Sequence, residues 1–135
     1  KRMVIGGMPV TFRMMSEDDQ GDPKIGTLVA QKFVDAKVAA VIGHLNSGTS
    51  IPASKIYYDA GIPQISPATT QTKYTQQGFN STFRVVANDG KLGGSLGAYA
   101  VGKMGAKKIA VVDDRTAYGQ GLADVVEKKL RCPCQ

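Results

Sequence analysis

The stretch VAAVIGHLNSGTSIPASKIYYDAGIPQIS, residues 38–66, decides the fold class. It opens with a continuous apolar run at 38–43, which is typical of a buried strand in a parallel sheet. A polar, glycine-containing loop follows, and apolar residues then recur at helical spacing over about 50–59. A second short run at 61–66, with a proline near its start, predicts the next strand. Strand, loop, helix and strand in this order predict a βαβ unit.

The remainder of the chain repeats this alternation. Further strands are predicted at 9–15, 82–87 and 107–114. Further helices are predicted from an Asp22 cap with Pro23 first, from Asn88 or Asp89 to Met104, and over 121–130. The first of these helices carries one apolar stripe: Ile25, Leu28, Val29, Phe33 and Ala36. The pattern predicts an α/β protein with a doubly wound, mostly parallel sheet.

Composition restricts the possible classes of protein. The chain has 135 residues, of which 42% are hydrophobic and 21% charged, as in an ordinary globular domain or pieces of two. Its net charge is +6. The basic residues are scattered, and no basic stripe interleaved with aromatic residues accompanies them, so we expect no nucleic-acid partner. No apolar run is long enough to cross a bilayer, and no secretory signal is visible in the chain.

Residue chemistry favours neither a metal centre nor an enzyme. Cys132 and Cys134 form a C-x-C pair without a second ligand pair, so we predict no metal and no cofactor. The acidic cluster at 17–19 follows no G-x-G-x-x-G motif, and we expect it to be a solvated loop that leads into the first helix. His44 is the sole histidine and has no partner at catalytic spacing, so a structural role is favoured.

The loop GHLNSGTS, residues 43–50, resembles a phosphate-binding loop without its lysine. Gly43 and Gly48 have the P-loop separation, but Thr49 stands where the lysine would be. Hydroxyls and N–H groups at a helix N-terminus can hold a single carboxylate, which is the interpretation we favour. Capping of the helix by these hydroxyls remains the alternative. Tyr118, in the loop DRTAYGQG, either packs on a ligand or closes the edge of the sheet.

Three stretches together resemble a known family. They are AAVIGHLNSGTSIPASKIYYDAGIPQISPATT, FRVVANDGKLGG and KKIAVVDDRTAYGQGLADVVEK. They resemble the periplasmic leucine/isoleucine/valine-binding proteins, the substrate-binding components of branched-chain amino acid ABC transporters, over about residues 8–130. The resemblance implies two doubly wound lobes that close over an amino acid, a membrane permease as partner, a periplasmic location and no enzymatic activity.

The resemblance also implies a set of ligand-binding residues. Ser47 would give the ligand α-carboxylate a hydroxyl and a backbone N–H, and the carbonyl of Ala68 would accept from the α-ammonium. Thr70 would touch both charged groups, with Thr69 beside it in the same loop. Tyr118 would close on the ligand from the second lobe. Asn46, at the position of a disulfide cysteine in some members, completes the predicted ligand-binding set.

The resemblance divides the chain into three parts. Residues 1–87 would form the first lobe without its first, central strand, and 88–130 the hinge crossing and the start of the second lobe. Residues 131–135 match nothing in the family. We therefore expect an internal fragment that binds amino acids weakly or not at all and self-associates through exposed sheet edges. Two alternatives are a sensor of amides or other small ligands with the same fold and, with less support, an NTPase or dehydrogenase fragment.

Overall fold

The computed structural model of the chain describes residues 2–131. Its strands are Arg2–Ile5 (β1), Met8–Thr11 (β2), Val41–Ile42 (β3), Gln64–Ser66 (β4) and Thr82–Arg84 (β5). Its helices are Pro23–Asp35 (α1), Ser47–Asp59 (α2), Asp89–Gly102 (α3) and Ala117–Arg131 (α4), with a short 3₁₀ helix at Thr72–Thr75.

The predicted α/β fold with a parallel sheet is confirmed. Strands β3, β4 and β5 lie side by side in that order, and both pairings are parallel. Helices α1 and α2 pack against each other, and the buried core between the helices and the sheet contains Ala30, Val41, Ala53, Tyr57 and Ile62. The parallel order brings the carboxyl ends of these strands to one edge of the sheet.

The parallel strands are shorter than the apolar runs that predicted them. The run 38–43 is paired only at Val41–Ile42, 61–66 only at Gln64–Ser66, and 82–87 only at Thr82–Arg84. A strand ends where its partner ends, because the ladder of hydrogen bonds needs both chains. Within residues 2–131, β3 pairs with β4 alone, so it is an edge strand.

Two predicted strands are wrong in extent or pairing. The predicted strand 9–15 is paired only at Met8–Thr11, and it joins β1 in an antiparallel hairpin instead of the parallel sheet. Gly6 and Gly7 adopt positive φ angles of 57° and 81° in the two-residue turn, which suits a close local pairing. The segment 107–114 is not a strand, because no described strand lies beside it to complete a ladder.

The helix signals proved more dependable than the strand signals. Asp22 caps α1 as predicted, since its Oδ1 accepts from the N–H groups of Lys24 at 2.6 Å and Ile25 at 3.3 Å. The apolar stripe of α1 is wrong at Leu28, which is 69% exposed, because α1 turns its Gly26 face toward Thr49 of α2. It is also wrong at Ala36, which is the exposed C-cap residue of α1. In residues 2–131, no helix is both long and apolar enough to span a bilayer.

The remaining helices depart from the predicted bounds by two to four residues. Helix α2 begins at Ser47 instead of Ser50, and α4 begins at Ala117 instead of 121. Helix α3 begins at Asp89, and the Asn88 side chain caps it by accepting from the N–H of Lys91 at 3.1 Å. Helix ends are set by local capping geometry, which apolar periodicity does not determine.

Helices α3 and α4 approach closely because α3 carries glycines at the contact. A Cβ added at Gly93 would lie 2.8 Å from Cγ1 of Val125, and one at Gly97 would lie 3.0 Å from Cβ of Lys129. A side chain at either position would force the helices apart. Gly94, the next residue of α3, faces open space, because a Cβ added there would meet no atom within 4 Å.

We predict opposite effects for two alanine substitutions in α3. Gly94→Ala should raise the free energy of unfolding by up to about 1 kcal/mol, since alanine is the better helix former. Gly93→Ala should lower it by about 1–3 kcal/mol through overpacking against Val125. Urea unfolding of the two variants measures the difference, and equal stabilisation by both would show that α3 and α4 do not meet at Gly93.

Candidate ligand-binding site

Two loops meet at the carboxyl edge of the sheet, one after β3 and one after β4. The carbonyl oxygen of His44 accepts from the hydroxyls of Ser50 at 3.1 Å and Ser66 at 2.7 Å. The Thr69 hydroxyl lies 2.5 Å from the Ser50 oxygen and 2.7 Å from that of Ser66. The side chains of Ser50, Ser66 and Thr69 are fully buried. This network joins the two loops into one unit.

The His44 side chain is structural, as the sequence predicts. Its Nδ1 lies 2.6 Å from Oδ2 of Asp19 and its Nε2 lies 3.0 Å from the hydroxyl of Tyr57. Burial acts to raise the pKa of Asp19, but hydrogen bonds from the Gly21 N–H and His44 outweigh it and lower the pKa. The prediction that the acidic cluster is wholly solvated is therefore wrong at Asp19, which ties its loop to the strand end.

Ser47 lies at the start of α2 and does not cap the helix. Asn46 is the N-cap residue, and α2 begins without a hydrogen bond from the side chain of its cap. Ser47 is buried, and its Oγ accepts from the N–H of Gln71 in the opposite loop at 3.4 Å. Thr49 instead donates its hydroxyl to the carbonyl of Asn46 at 3.0 Å. The capping interpretation therefore fails for Ser47, and its hydroxyl faces the neighbouring loop.

Arg84 fixes the second loop, a role that the sequence analysis missed. Its Nη1 donates to the carbonyls of Thr69, Thr70 and Gln71 at 3.3, 2.9 and 2.9 Å. Its Nη2 donates to the carbonyl of Thr72 at 3.4 Å and to the Thr75 hydroxyl. The carbonyls therefore converge on one cation. The sequence offered one sign of this role: a charged residue, Arg84, lies inside the predicted strand 82–87, which ends directly before the helix cap Asn88.

Asp89 is a second residue that the sequence analysis missed, since it was considered only as a helix cap. It is 1% exposed, and its backbone N–H donates to the carbonyl of Thr70 at 2.8 Å. Neither carboxylate oxygen is paired in good hydrogen-bond geometry, and the buried hydroxyl of Thr70 is likewise unpaired. Burial raises the pKa of Asp89, although the nearby Thr70 hydroxyl and Arg84 guanidinium act in the opposite direction. A buried acceptor without a donor is suited to a cationic ligand group.

The other predicted site residues occupy different settings. Ala68 is half-buried and lies in the loop between Ser66 and Thr69, whereas Asn46 is exposed at the start of α2. The Thr69 hydroxyl is engaged within the network described above, which fits a positioning role.

Tyr118 is the predicted contact from the second lobe. It is 44% exposed and lines a cavity of about 380 Å³ between residues 111–114 and α4. One turn further along α4, Gly121 lies against the Gln71 side chain. Within residues 2–131, Tyr118 forms no hydrogen bond with Ser47 or Thr70. The start of α4 therefore borders the polar loops, while the tyrosine ring adjoins 111–114.

The described residues offer no metal centre. Among residues 2–131, no group of three or more His, Cys, Asp or Glu side chains is placed to hold a metal ion. The C-x-C pair considered from the sequence, Cys132 and Cys134, lies outside the described residues.

Comparison with known proteins places the chain in a family of binding proteins. Residues 4–131 match the model of the periplasmic binding protein family, and the chain belongs to that family. It is 50% identical over 113 residues to the Leu/Ile/Val-binding protein homolog 1 of Brucella melitensis, a match that covers 84% of this chain and 30% of the relative. The chain thus spans about a third or less of the relatives it matches.

Solved structures agree with the assignment. An ABC transporter substrate-binding protein from Desulfitobacterium hafniense in complex with Leu is 36% identical, with a TM-score of 0.73, over 85% of this chain and 34% of that one. A leucine binding protein from Thermotoga maritima is 28% identical, with a TM-score of 0.80, over 84% of this chain and 33% of that one. The predicted resemblance to the leucine/isoleucine/valine-binding proteins is confirmed.

We predict that Asp89→Asn raises the free energy of unfolding more at pH 7 than near pH 4. The folded pKa of Asp89 lies above its ordinary value of 3.8, so the folded state binds the proton more tightly. Asp89 therefore contributes its full stabilisation below the pKa that it has in the unfolded chain. This stabilisation is lost as the pH rises through the pKa that it has in the folded chain. Asparagine removes the buried charge at neutral pH.

Urea unfolding of wild type and Asp89→Asn at both pH values tests this prediction. Asp124→Asn, which removes an exposed carboxylate from α4, controls for the change in net charge. A stability difference between wild type and Asp89→Asn that stays constant with pH would mean that Asp89 is not a buried, unpaired carboxylate.

Proposed function

We propose that this chain is part of the substrate-binding protein of an ABC transporter and carries half of a site for the charged head of an aliphatic amino acid. The observation that carries the proposal is the arrangement at the strand ends. Two joined loops present Ser47 and Thr70, and the buried carboxylate of Asp89 lies beside Thr70.

The carboxylate of the ligand fits the start of α2. Ser47 is the first residue of the helix, where free N–H groups and the helix dipole favour an anion. A hydroxyl and peptide N–H groups can hold one carboxylate without burying an opposing full charge. The loop lacks the lysine that a triphosphate requires, which argues against an NTPase.

The ammonium of the ligand fits the opposite side, near Thr70 and Asp89. An ammonium group brings three donors, and the unpaired oxygens of both residues are acceptors. The carbonyl of Ala68 is the third proposed acceptor. Because the Thr70 and Asp89 oxygens are buried, a ligand reaches them only when the surrounding elements separate.

A site that a ligand can enter only when the surrounding elements separate suits a protein with two lobes joined by a hinge. We propose that residues 1–87 belong to a first lobe and that 88–130 carry the hinge crossing and the start of a second lobe, from which Tyr118 closes on the ligand. The names of the relatives support an amino acid as ligand, since one is a Leu/Ile/Val-binding protein homolog and one structure contains Leu. In this proposal the complete protein works in the periplasm and delivers its ligand to a membrane permease.

We predict that Ser47→Ala and Thr70→Val each weaken leucine binding by about 1–3 kcal/mol, the effect of leaving a buried charged group without one hydrogen bond. The measurement is calorimetry on a chimaera in which residues 4–131 replace the matching segment of the Brucella relative. Ser95→Ala, which removes an exposed hydroxyl from α3, is the matched control.

The 135-residue chain by itself is the second control. It carries Ser47, Ala68 and Thr70 but little of a closing face, so we expect no rise in its melting temperature with micromolar leucine. Wild-type affinity in both chimaera variants would refute the proposed carboxylate and ammonium contacts. Leucine-dependent stabilisation of the isolated chain would show that one lobe is sufficient.

A further inference from the structure

A buried chain of hydrogen bonds runs from Asp19 through the ring of His44 to Tyr57. Oδ2 of Asp19 lies 2.6 Å from Nδ1 of His44, and the hydroxyl of Tyr57 lies 3.0 Å from Nε2. The side chains of Asp19 and His44 are 14% and 5% exposed, and Tyr57 is fully buried. The three residues belong to the loop before α1, the loop after β3 and α2. His44 is therefore held at both ring nitrogens by two separate elements.

The chemistry of the two neighbours decides which ring nitrogen of His44 carries the proton. Burial acts to raise the pKa of Asp19, but hydrogen bonds from the Gly21 N–H and from His44 outweigh it and lower the pKa. The carboxylate is therefore ionised at neutral pH and can only accept, so Nδ1 is the donor. Burial raises the pKa of Tyr57, so its hydroxyl keeps the proton that it donates to Nε2. Together the two neighbours select the Nδ1–H tautomer.

Asp19 is itself fixed by the turn that leads into α1. Its Oδ1 accepts from the N–H of Gly21 at 2.9 Å, and its carbonyl accepts from the N–H of Asp22 at 3.0 Å. Gly21 adopts a positive φ of 69°, and a Cβ added there would lie 3.0 Å from Nδ2 of Asn46. The turn therefore packs against the loop that contains His44. Oδ1 serves the turn, which leaves Oδ2 for the histidine.

The carbonyl of His44 is the point at which the two proposed ligand loops are joined. It accepts from the hydroxyls of Ser50 and Ser66, and from that of Thr69 at 3.4 Å. Because the ring of His44 is anchored at both nitrogens, the residue cannot turn freely, and its carbonyl is held as well. Ser47 lies three residues further along the same loop. The anchored ring therefore acts on the proposed site through the backbone.

We propose that Asp19 is a positioning residue of the ligand-binding site: with Tyr57 it holds His44 as the Nδ1–H tautomer and so fixes the carbonyl that joins the two ligand loops. This inference rests on the function proposed above, because it concerns the same site. A carboxylate on a third loop, outside the proposed set of ligand contacts, then controls the affinity for the amino acid.

Nitrogen NMR of the 135-residue chain, purified without a histidine tag, tests the hydrogen-bond chain without any ligand. His44 is the sole histidine, so the shifts of its two ring nitrogens report directly which one carries the proton. At mildly alkaline pH we expect the Nδ1–H tautomer in wild type and in Asp18→Asn. Asp19→Asn should reverse it, because an amide NH₂ then faces Nδ1 while the amide oxygen stays on the turn. An Nε2–H tautomer in wild type would overturn the proposal.

Calorimetry with leucine on the chimaera described above tests the effect on the site. Asp19→Ala removes the bonds to His44 and to the Gly21 N–H, and it should raise the Kd about tenfold. Asp18→Ala is the matched control. Within the described chain the exposed Asp18 carboxylate makes the same kind of turn bond, to the N–H of Gln20 at 2.8 Å, but no bond to His44. Its Kd should stay within about twofold of wild type, and circular dichroism checks that each variant is folded.

Tyr57→Phe removes the hydroxyl at the other end of the hydrogen-bond chain and leaves the loop of Asp19 untouched. It should also raise the Kd, by about three- to tenfold, since Nε2 of His44 loses its donor. Tyr74→Phe is the control, because Tyr74 is likewise fully buried but its hydroxyl donates to the carbonyl of Gln64 at 3.4 Å. If Asp19 merely anchored its own loop, Tyr57→Phe would leave the Kd unchanged.

The outcomes separate this inference from the proposed function. Unchanged affinity in folded Asp19→Ala or Tyr57→Phe, or an equal loss in Asp18→Ala, would overturn the positioning role. If Ser47→Ala weakens binding while Asp19→Ala does not, the positioning role alone is wrong. If Ser47→Ala and Thr70→Val both keep wild-type affinity, the proposed site is wrong, and this inference is wrong with it.

Discussion

The hydrogen bonds that converge on the carbonyl oxygen of His44 hold together the edge of the sheet on which we propose the ligand-binding site. They join the loop after β3 to the loop after β4 through Ser50, Ser66 and Thr69. Without them the two loops would be independent connections between short strands. With them Ser47 and Thr70 lie on one joined edge, as the proposed site for a small zwitterion requires.

Neutral groups dominate this edge, and electrostatics explains why. In the proposed site, a lysine opposite the ligand carboxylate would have to be desolvated, whereas hydroxyls and peptide dipoles have a smaller desolvation cost. Arg84 and Asp89 are the charged exceptions. The guanidinium of Arg84 is bonded to the carbonyls of 69–72, whereas the Asp89 carboxylate is buried without a donor in good hydrogen-bond geometry, and burial raises its pKa. In the proposed function the ligand ammonium supplies the missing donors, so binding relieves a cost that the empty protein carries.

Apolar runs and capping signals predicted the order of elements but not the pairing of strands. The Asp22 cap and the βαβ order depend on local sequence, and both are confirmed. The segment 107–114 reads as a strand, but strand formation depends on a neighbour that local sequence does not specify. The resemblance indicated Ser47 and Thr70, whose ligand contacts stay a prediction. The positions of Arg84 and Asp89 could not be predicted, because they depend on burial and on the convergence of distant loops.

The most direct test of the central claim is hydrogen exchange on Ser66→Ala, with Ser54→Ala as control. Both serines are fully buried; Ser66 bonds the His44 carbonyl, and Ser54 bonds the carbonyl of Ile51. The account predicts faster amide exchange in Ser66→Ala over both 44–50 and 67–72, and no change over 44–50 in Ser54→Ala. Faster exchange confined to 67–72 in Ser66→Ala would contradict the claim that the two loops form one unit.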